Sequence, residues 1–201
     1  MIVVMGGRGG GKSYFINQMV GGDVAPIRDG STQYTGTLTC QAVPTRFGRS
    51  KVILIDTPGF DESNSSEAIA CAEICRVLAQ FYQRGVSLRG FIYLQRITEK
   101  KTIGNAASVL KMFRSLCGET KLLKNTILVT TGWQLQQVDE PQGAVQEREL
   151  RKFWGQMLNQ GSTMVRYYGD RDSGVGIVSR ILGNEDVPFE PEAELMARGK
   201  Q

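Results

Sequence analysis

The chain has 201 residues, 24 lysines and arginines against 20 aspartates and glutamates, a net charge of +4, and no histidine. Ser-His-Asp catalysis, imidazole general-base chemistry and His-ligated zinc are therefore excluded within this chain. A hydrophobic share of 41% excludes disorder throughout, and the length suits one large domain, or one domain with a tail. The charge is spread along the chain without a block of like sign, so no nucleic-acid partner is expected.

In chain order, "MIVVM" is a short apolar strand, and "KSYFINQMV" is a helix ended by Gly21-Gly22. "GTLTCQAV" is rich in β-formers and suits a strand. "KVILIDTPG" is a near-continuous apolar run ending at Asp56, as expected of a strand buried on both faces. A helix follows over roughly 65–84, then a strand in "GFIYLQR". "NAASVLKMFRSLCG" is a helix closed by Gly118, and "NTILVTT" is another buried strand. Residues 134–145 read as a surface loop, "VQERELRKFWGQML" as a helix, "TMVRYYG" as a strand and "SGVGIVSRILG" as a last helix. The alternation predicts an α/β fold: a mostly parallel six-stranded sheet with helices on both faces. The expected division is a domain over 1–183 and a polar tail over 184–201.

Four cysteines occur, Cys40, Cys71, Cys75 and Cys117. Cys71 and Cys75 share one helix face, a spacing open to a metal, but no further ligands are evident and two small buried apolar residues are the simpler reading. No signal-peptide pattern or membrane-length apolar run is seen, so a reducing intracellular, cytoplasmic setting is the expectation.

The stretch "GGRGGGKS" fits G-x-x-x-x-G-K-[ST] at Gly6, Gly11, Lys12 and Ser13, between a strand and a helix. Converging backbone N–H groups cradle a phosphate chain, and side chains would block that approach. The expected cradle is Gly6, Arg8, Gly9, Gly10, Gly11, Lys12, Ser13 and Tyr14. The helix that starts there adds partial positive charge, Lys12 reaches the β- and γ-phosphates, and the Ser13 hydroxyl ligates Mg2+. A second piece is Asp-x-x-Gly at Asp56 and Gly59: a carboxylate at a strand tip that holds the metal, and an amide for the γ-phosphate. Together these imply a nucleoside triphosphate with Mg2+ and leave the base open.

"GGRGGGKS", "TGTLTC", "VILIDTPGFDES", "FIYLQRIT" and "ILVTTGW", in this order, resemble the septin-related P-loop GTPases. Among these, the chain looks most like the GIMAP-type (immunity-associated nucleotide-binding) proteins and their fungal G-domain relatives, from about Ile2 to Gly183. The resemblance implies a G domain that uses GTP/GDP and Mg2+ and pairs with a second copy across the nucleotide face. It implies that Thr37 is the switch I threonine, contacting Mg2+ and the γ-phosphate beside catalytic Lys12, although a strand threonine fits the same stretch. It implies that Thr131 to Gln134 read the base, and that Ser173 and Gly174 back guanine through a main-chain amide. Ser173 reads equally well as a plain N-cap.

The chain departs from that pattern in several places. Gln134 stands where the family has an aspartate for guanine, and a neutral amide makes a weaker bond than a carboxylate. Asp139 substitutes only if its loop folds back. Arg8 stands where threonine is common, and it either swings to the γ-phosphate, obstructs water or lies in solvent. Gln95 replaces a histidine, while Arg96 remains. Phe60 cannot orient water; Asp61 and Glu62 follow, as water-orienting groups or as a solvated turn. Three functions remain in view: a slow GTPase switch, a nucleotide-gated scaffold that scarcely hydrolyses, and an ATP-using phosphotransferase, which leaves "DTPGF" and "TTGW" unexplained.

Overall fold

The computed structural model describes residues 1–25, 39–59, 64–98, 122–134 and 140–184. Its strands are β1 (Ile2–Gly6), β2 (Gln41–Phe47), β3 (Ser50–Asp56), β4 (Gly90–Arg96), β5 (Thr126–Thr131) and β6 (Thr163–Arg166). The helices are α1 (Lys12–Val20), α2 (Asn64–Tyr82), α3 (Glu140–Phe153), the short α4 (Gly155–Asn159) and α5 (Arg171–Leu182). The strands form one sheet in the order β2-β3-β1-β4-β5-β6. β1 pairs in parallel with β3 and β4, β4 with β5, and β5 with β6, while β2 and β3 are antiparallel.

The apolar runs explain the centre of this sheet. Every residue of β1 and β5 is buried, so neither strand alternates. Val3 and Met5 of β1 join a core cluster with Ile74 and Leu78 of α2 and with Trp154 and Met157. Ile2 and Val4 point to the other face, against Phe15, Ile16 and Met19 of α1 and Ile177, Val178 and Ile181 of α5. Two cores, one on each face, are what a period-two strand between helices produces. Each large apolar side chain so buried contributes roughly 1.5–3 kcal/mol.

Several boundaries differ from the sequence reading. The second strand runs over Gln41–Phe47, past the end expected at Val43, while residues 36–38 of the expected strand lie outside the described residues. It returns through Gly48 and Arg49 to make a hairpin in which Phe47 pairs with Ser50. The turn is Gly48, at φ 57°, a left-handed conformation that glycine adopts without a Cβ clash. The helix expected to start at Val145 begins at Glu140, with Pro141 in its first turn, where no N–H is required. It is interrupted at Trp154, whose indole is 1% exposed and meets the Tyr93 ring edge-on at 6.1 Å.

Cys40, Cys71 and Cys75 are reduced cysteines, in no disulfide among the described residues, packed against the α2-side core. Burial pushes the Cys40 thiol up to about 12. Among the described residues no helix is long and apolar enough to cross a membrane. The expected helix over 105–118, Cys117, Thr37, Phe60, Asp61, Glu62, Asp139 and residues 185–201 of the expected tail lie outside the described residues.

Candidate functional site

The direction of connection reverses beside β1, which has β3 on one side and β4 on the other. A crevice opens outside the carboxyl end of a strand at such a point, where an open α/β sheet receives ligands. The glycine loop follows β1 into that crevice. Gly6 has φ 145°, and a Cβ there would meet the Leu94 carbonyl oxygen of β4 at 2.1 Å. A Cβ on Gly10 would meet the same oxygen at 3.0 Å, whereas Gly11 has open space but φ 93°. Close backbone approach therefore requires glycine at two loop positions, and chain direction at a third.

Lys12 is the first residue of α1 and is 8% exposed. Its Nζ donates to the Gly6 carbonyl at 3.0 Å and the Gly7 carbonyl at 2.9 Å, which folds the ammonium back over the loop. Ser13 Oγ donates to Asp56 Oδ2 at 2.7 Å. Asp56 is 0% exposed, and its Oδ1 has no side-chain hydrogen-bond partner among the described residues. Burial pushes this carboxyl above its ordinary value, and the Ser13 hydroxyl and Lys12 ammonium pull it back in part. A buried carboxylate oxygen left orphaned beside a serine hydroxyl fits a hard divalent cation. Gly59 lies against the loop: a Cβ there would be 3.0 Å from Arg8 Cα and 3.2 Å from Lys12 Nζ. Arg8 itself carries an exposed side chain.

Other hydrogen bonds hold this cradle. Thr57 Oγ1 donates to the Val4 carbonyl at 2.9 Å, and Thr131 Oγ1 to the Gly10 carbonyl at 3.0 Å. Asn17 is buried in α1; its Oδ1 accepts from the Ala25 amide at 2.8 Å and its Nδ2 donates to the Ala25 carbonyl at 2.7 Å. Gln41 Nε2 donates to the Val24 carbonyl at 3.0 Å, so the chain just before residue 26 is tied to the start of β2.

The residues expected to face the base lie near the end of β5. Gln134 is exposed and packs on Gly169, where a Cβ would come within 2.7 Å of its amide nitrogen. Tyr14 Oη donates to the Gly169 carbonyl at 2.9 Å, joining this loop to α1. Ser173 and Gly174 sit deeper. The N-cap of α5 is Asp170, not Ser173: the Ser173 amide donates to Asp170 Oδ1 at 2.7 Å. The Gly174 amide reaches the Asp170 carbonyl at 3.3 Å, and a Cβ on Gly174 would strike the Met19 methyl at 2.1 Å. These two residues start and pack the helix, and Gly169 is the residue of this stretch that faces Tyr14 and Gln134. Sequence reading passed over Gly169 within "YYGDRDSG", where the Asp-x-x-Ser spacing marks the cap three residues earlier than expected. Gln95 is buried at 3% exposure, and Arg96 is exposed.

Comparison by sequence with curated proteins gives no match. Among solved structures, Toc33 from Arabidopsis thaliana in complex with GDP and Mg2+ is similar at a TM-score of 0.71 and 17% identity, over 94% of this chain and 87% of that one. A structure reporting that dimerization is important for the GTPase activity of chloroplast translocon components atToc33 and psToc159 is similar at 0.70 and 15% identity, over 94% and 85%. The bacterial selenocysteine-specific elongation factor EF-Sec is similar at 0.57 and 20% identity; the chain spans 28% of it, with 90% of this chain covered. At these identities the likeness is one of fold, an α/β P-loop domain. The model of the AIG1 family matches residues 1–153. With its phosphate-loop signature inside that match and its topology that of a P-loop domain, this chain belongs to the AIG1 family.

Proposed function

We propose that the chain is a magnesium-dependent guanine-nucleotide switch of the P-loop GTPase superfamily. Hydrolysis is slow in the single chain and is completed by pairing of two copies across the nucleotide face. The observation that carries this reading is the Ser13–Asp56 contact at 2.7 Å, with Asp56 Oδ1 unpartnered among the described residues and Lys12 folded over the glycine loop. That set suits a metal-bound triphosphate. The Toc33 complexes with GDP and with GMPPNP, each with Mg2+, support the choice of ligand.

In this reading Gly6, Arg8, Gly9, Gly10, Gly11 and Tyr14 border the phosphates with Lys12, and Gly59 turns its amide to the γ-phosphate. Ser13 and Thr37 ligate the metal, and Asp56 holds it. Mg2+, when bound, neutralises phosphate charge. Lys12 stabilises charge on the β- and γ-oxygens, and the buried floor formed by Asp56 and Thr57 keeps bulk water from that side. Thr131 fastens the loop, Gln134 reads the base, and the Gly169 stretch leading to Ser173 and Gly174 backs it. The setting is cytoplasmic.

A second reading is a nucleotide-gated scaffold with little hydrolysis and relaxed base preference. It is favoured by the neutral Gln134 amide lying on Gly169. Nucleotide released from denatured, purified protein identifies the ligand; guanine nucleotide is expected, and adenine nucleotide alone would overturn the assignment. Single-turnover hydrolysis, with Lys12→Ala as the binding-dead control, separates the two readings. A rate equal to the control selects the scaffold.

A further inference from the structure

We propose that Arg166 is a positioning residue for the base side of the site, setting the distance between the Trp133–Gln134 and Tyr168–Gly169 segments. The inference rests on the nucleotide reading above and adds to it a specificity determinant outside the motifs.

Arg166 ends β6 and lies opposite Thr130 in the β5–β6 register. Its Nε stands 3.1 Å from each carboxylate oxygen of Glu147, and its Nη2 donates to Oε2 at 2.7 Å. This is a two-pronged pair from the sheet to α3, with side chains 26% and 17% exposed. The same guanidinium covers the Trp133 ring, its Cζ 4.1 Å from the centroid. The indole is fixed at its edge as well, because Nε1 donates to Thr130 Oγ1 at 2.9 Å. The Tyr168 phenol is an electrostatic neighbour of the same guanidinium.

One planar cation thus engages three segments: α3 through Glu147, the β5 loop through Trp133, and the β6 loop through Tyr168. Trp133 precedes Gln134, and Tyr168 precedes Gly169, so the clamp sits one residue behind each wall of the base side. Gln134 and Gly169 already touch. A lysine in place of Arg166 keeps the charge but has neither the fork nor the flat face needed to hold the carboxylate and the indole together.

The test uses the full chain with Arg166→Lys and Glu147→Gln. Affinities for GDP, ADP and inorganic tripolyphosphate are measured by competition, and amide hydrogen exchange is followed in nucleotide-free protein. Arg166→Lys is expected to lower the guanine-over-adenine preference by about fivefold or more while tripolyphosphate affinity stays within about twofold. Exchange over 132–134 and 168–170 should rise together, and Glu147→Gln should move the same quantities less. A lower Tm with unchanged base preference would reduce Arg166 to a structural ion pair and overturn the proposal. A wild-type chain that binds tripolyphosphate without base preference overturns it too, yet leaves the phosphate site intact. A wild-type chain that binds neither nucleotide nor tripolyphosphate overturns both readings.

Discussion

The hydroxyl of Thr131 donates to the carbonyl of Gly10 at 3.0 Å, across 121 residues of chain. The end of β5 thereby holds the phosphate loop from behind, and both groups are buried. Thr131→Val keeps the shape and removes the donor. A single hydrogen bond contributes about 0.5–1.5 kcal/mol, so affinity for GTP and for tripolyphosphate should fall together by about three- to tenfold. Calorimetry on both ligands checks this; a loss confined to GTP would place Thr131 at the base instead.

Asp56 is buried with one oxygen unpartnered among the described residues, and that burial disfavours its charged form. Asp56→Asn removes the charge while keeping the size. Metal-free protein should then be as stable as wild type or more so, while the magnesium concentration needed for nucleotide binding rises by on the order of tenfold. Thermal melts without metal, and magnesium titrations with a fluorescent nucleotide, read the two effects. A fall in both would mark Asp56 as a purely structural acid.

Gln134 presents a neutral amide beside Gly169. Gln134→Asp places a charged acceptor there, and charge-assisted bonds are about twice as strong as neutral ones. Preference for guanine over adenine nucleotides should rise. An unchanged ratio in competition binding would show that residue 134 faces away from the base.

Gly6 leaves no room for a side chain, since a Cβ would lie 2.1 Å from the Leu94 carbonyl oxygen at φ 145°. Gly22 has nothing within 4 Å. Gly6→Ala should cost about 1–3 kcal/mol or more and lower Tm by several degrees, while Gly22→Ala should leave Tm nearly unchanged. Equal melting temperatures for the two variants would contradict the tight contact between the loop and β4.

Asp170 accepts from the Ser173 amide at 2.7 Å, and this bond holds its carboxyl below the usual range. Such a group adds stability that is complete above its unfolded pKa, about 3.9, and is lost as pH falls through the lower folded value. Asp170→Asn also caps a helix but does not titrate. The difference in Tm between wild type and Asp170→Asn should therefore be constant at neutral pH and shift against wild type in acid. A difference independent of pH would show that the carboxylate is not the cap.

Much of the fold was legible because the signals are local. Apolar runs such as "ILVTT", and the glycine signature between a strand and a helix, need only near neighbours to act. The end of the second strand was hidden because it is set by pairing with β3 through the Gly48 turn, which selects Gln41–Phe47. The helix start at Glu140 was hidden by Pro141 and Gly143, which discourage a helix interior but are tolerated near its beginning.

The sequence by itself determined that a bare backbone loop with a lysine and a serine follows a buried strand, and that strands alternate with helices. Only the tertiary structure decided which distant groups meet there. Ser13 and Asp56 are 43 residues apart, and Gln134 and Gly169 also come together across the fold. Such meetings follow from the strand order, with β3 and β4 on either side of β1 and β5 beside β6. Strand order is chosen by burial on both faces of the sheet at once, and no window of sequence contains that sum.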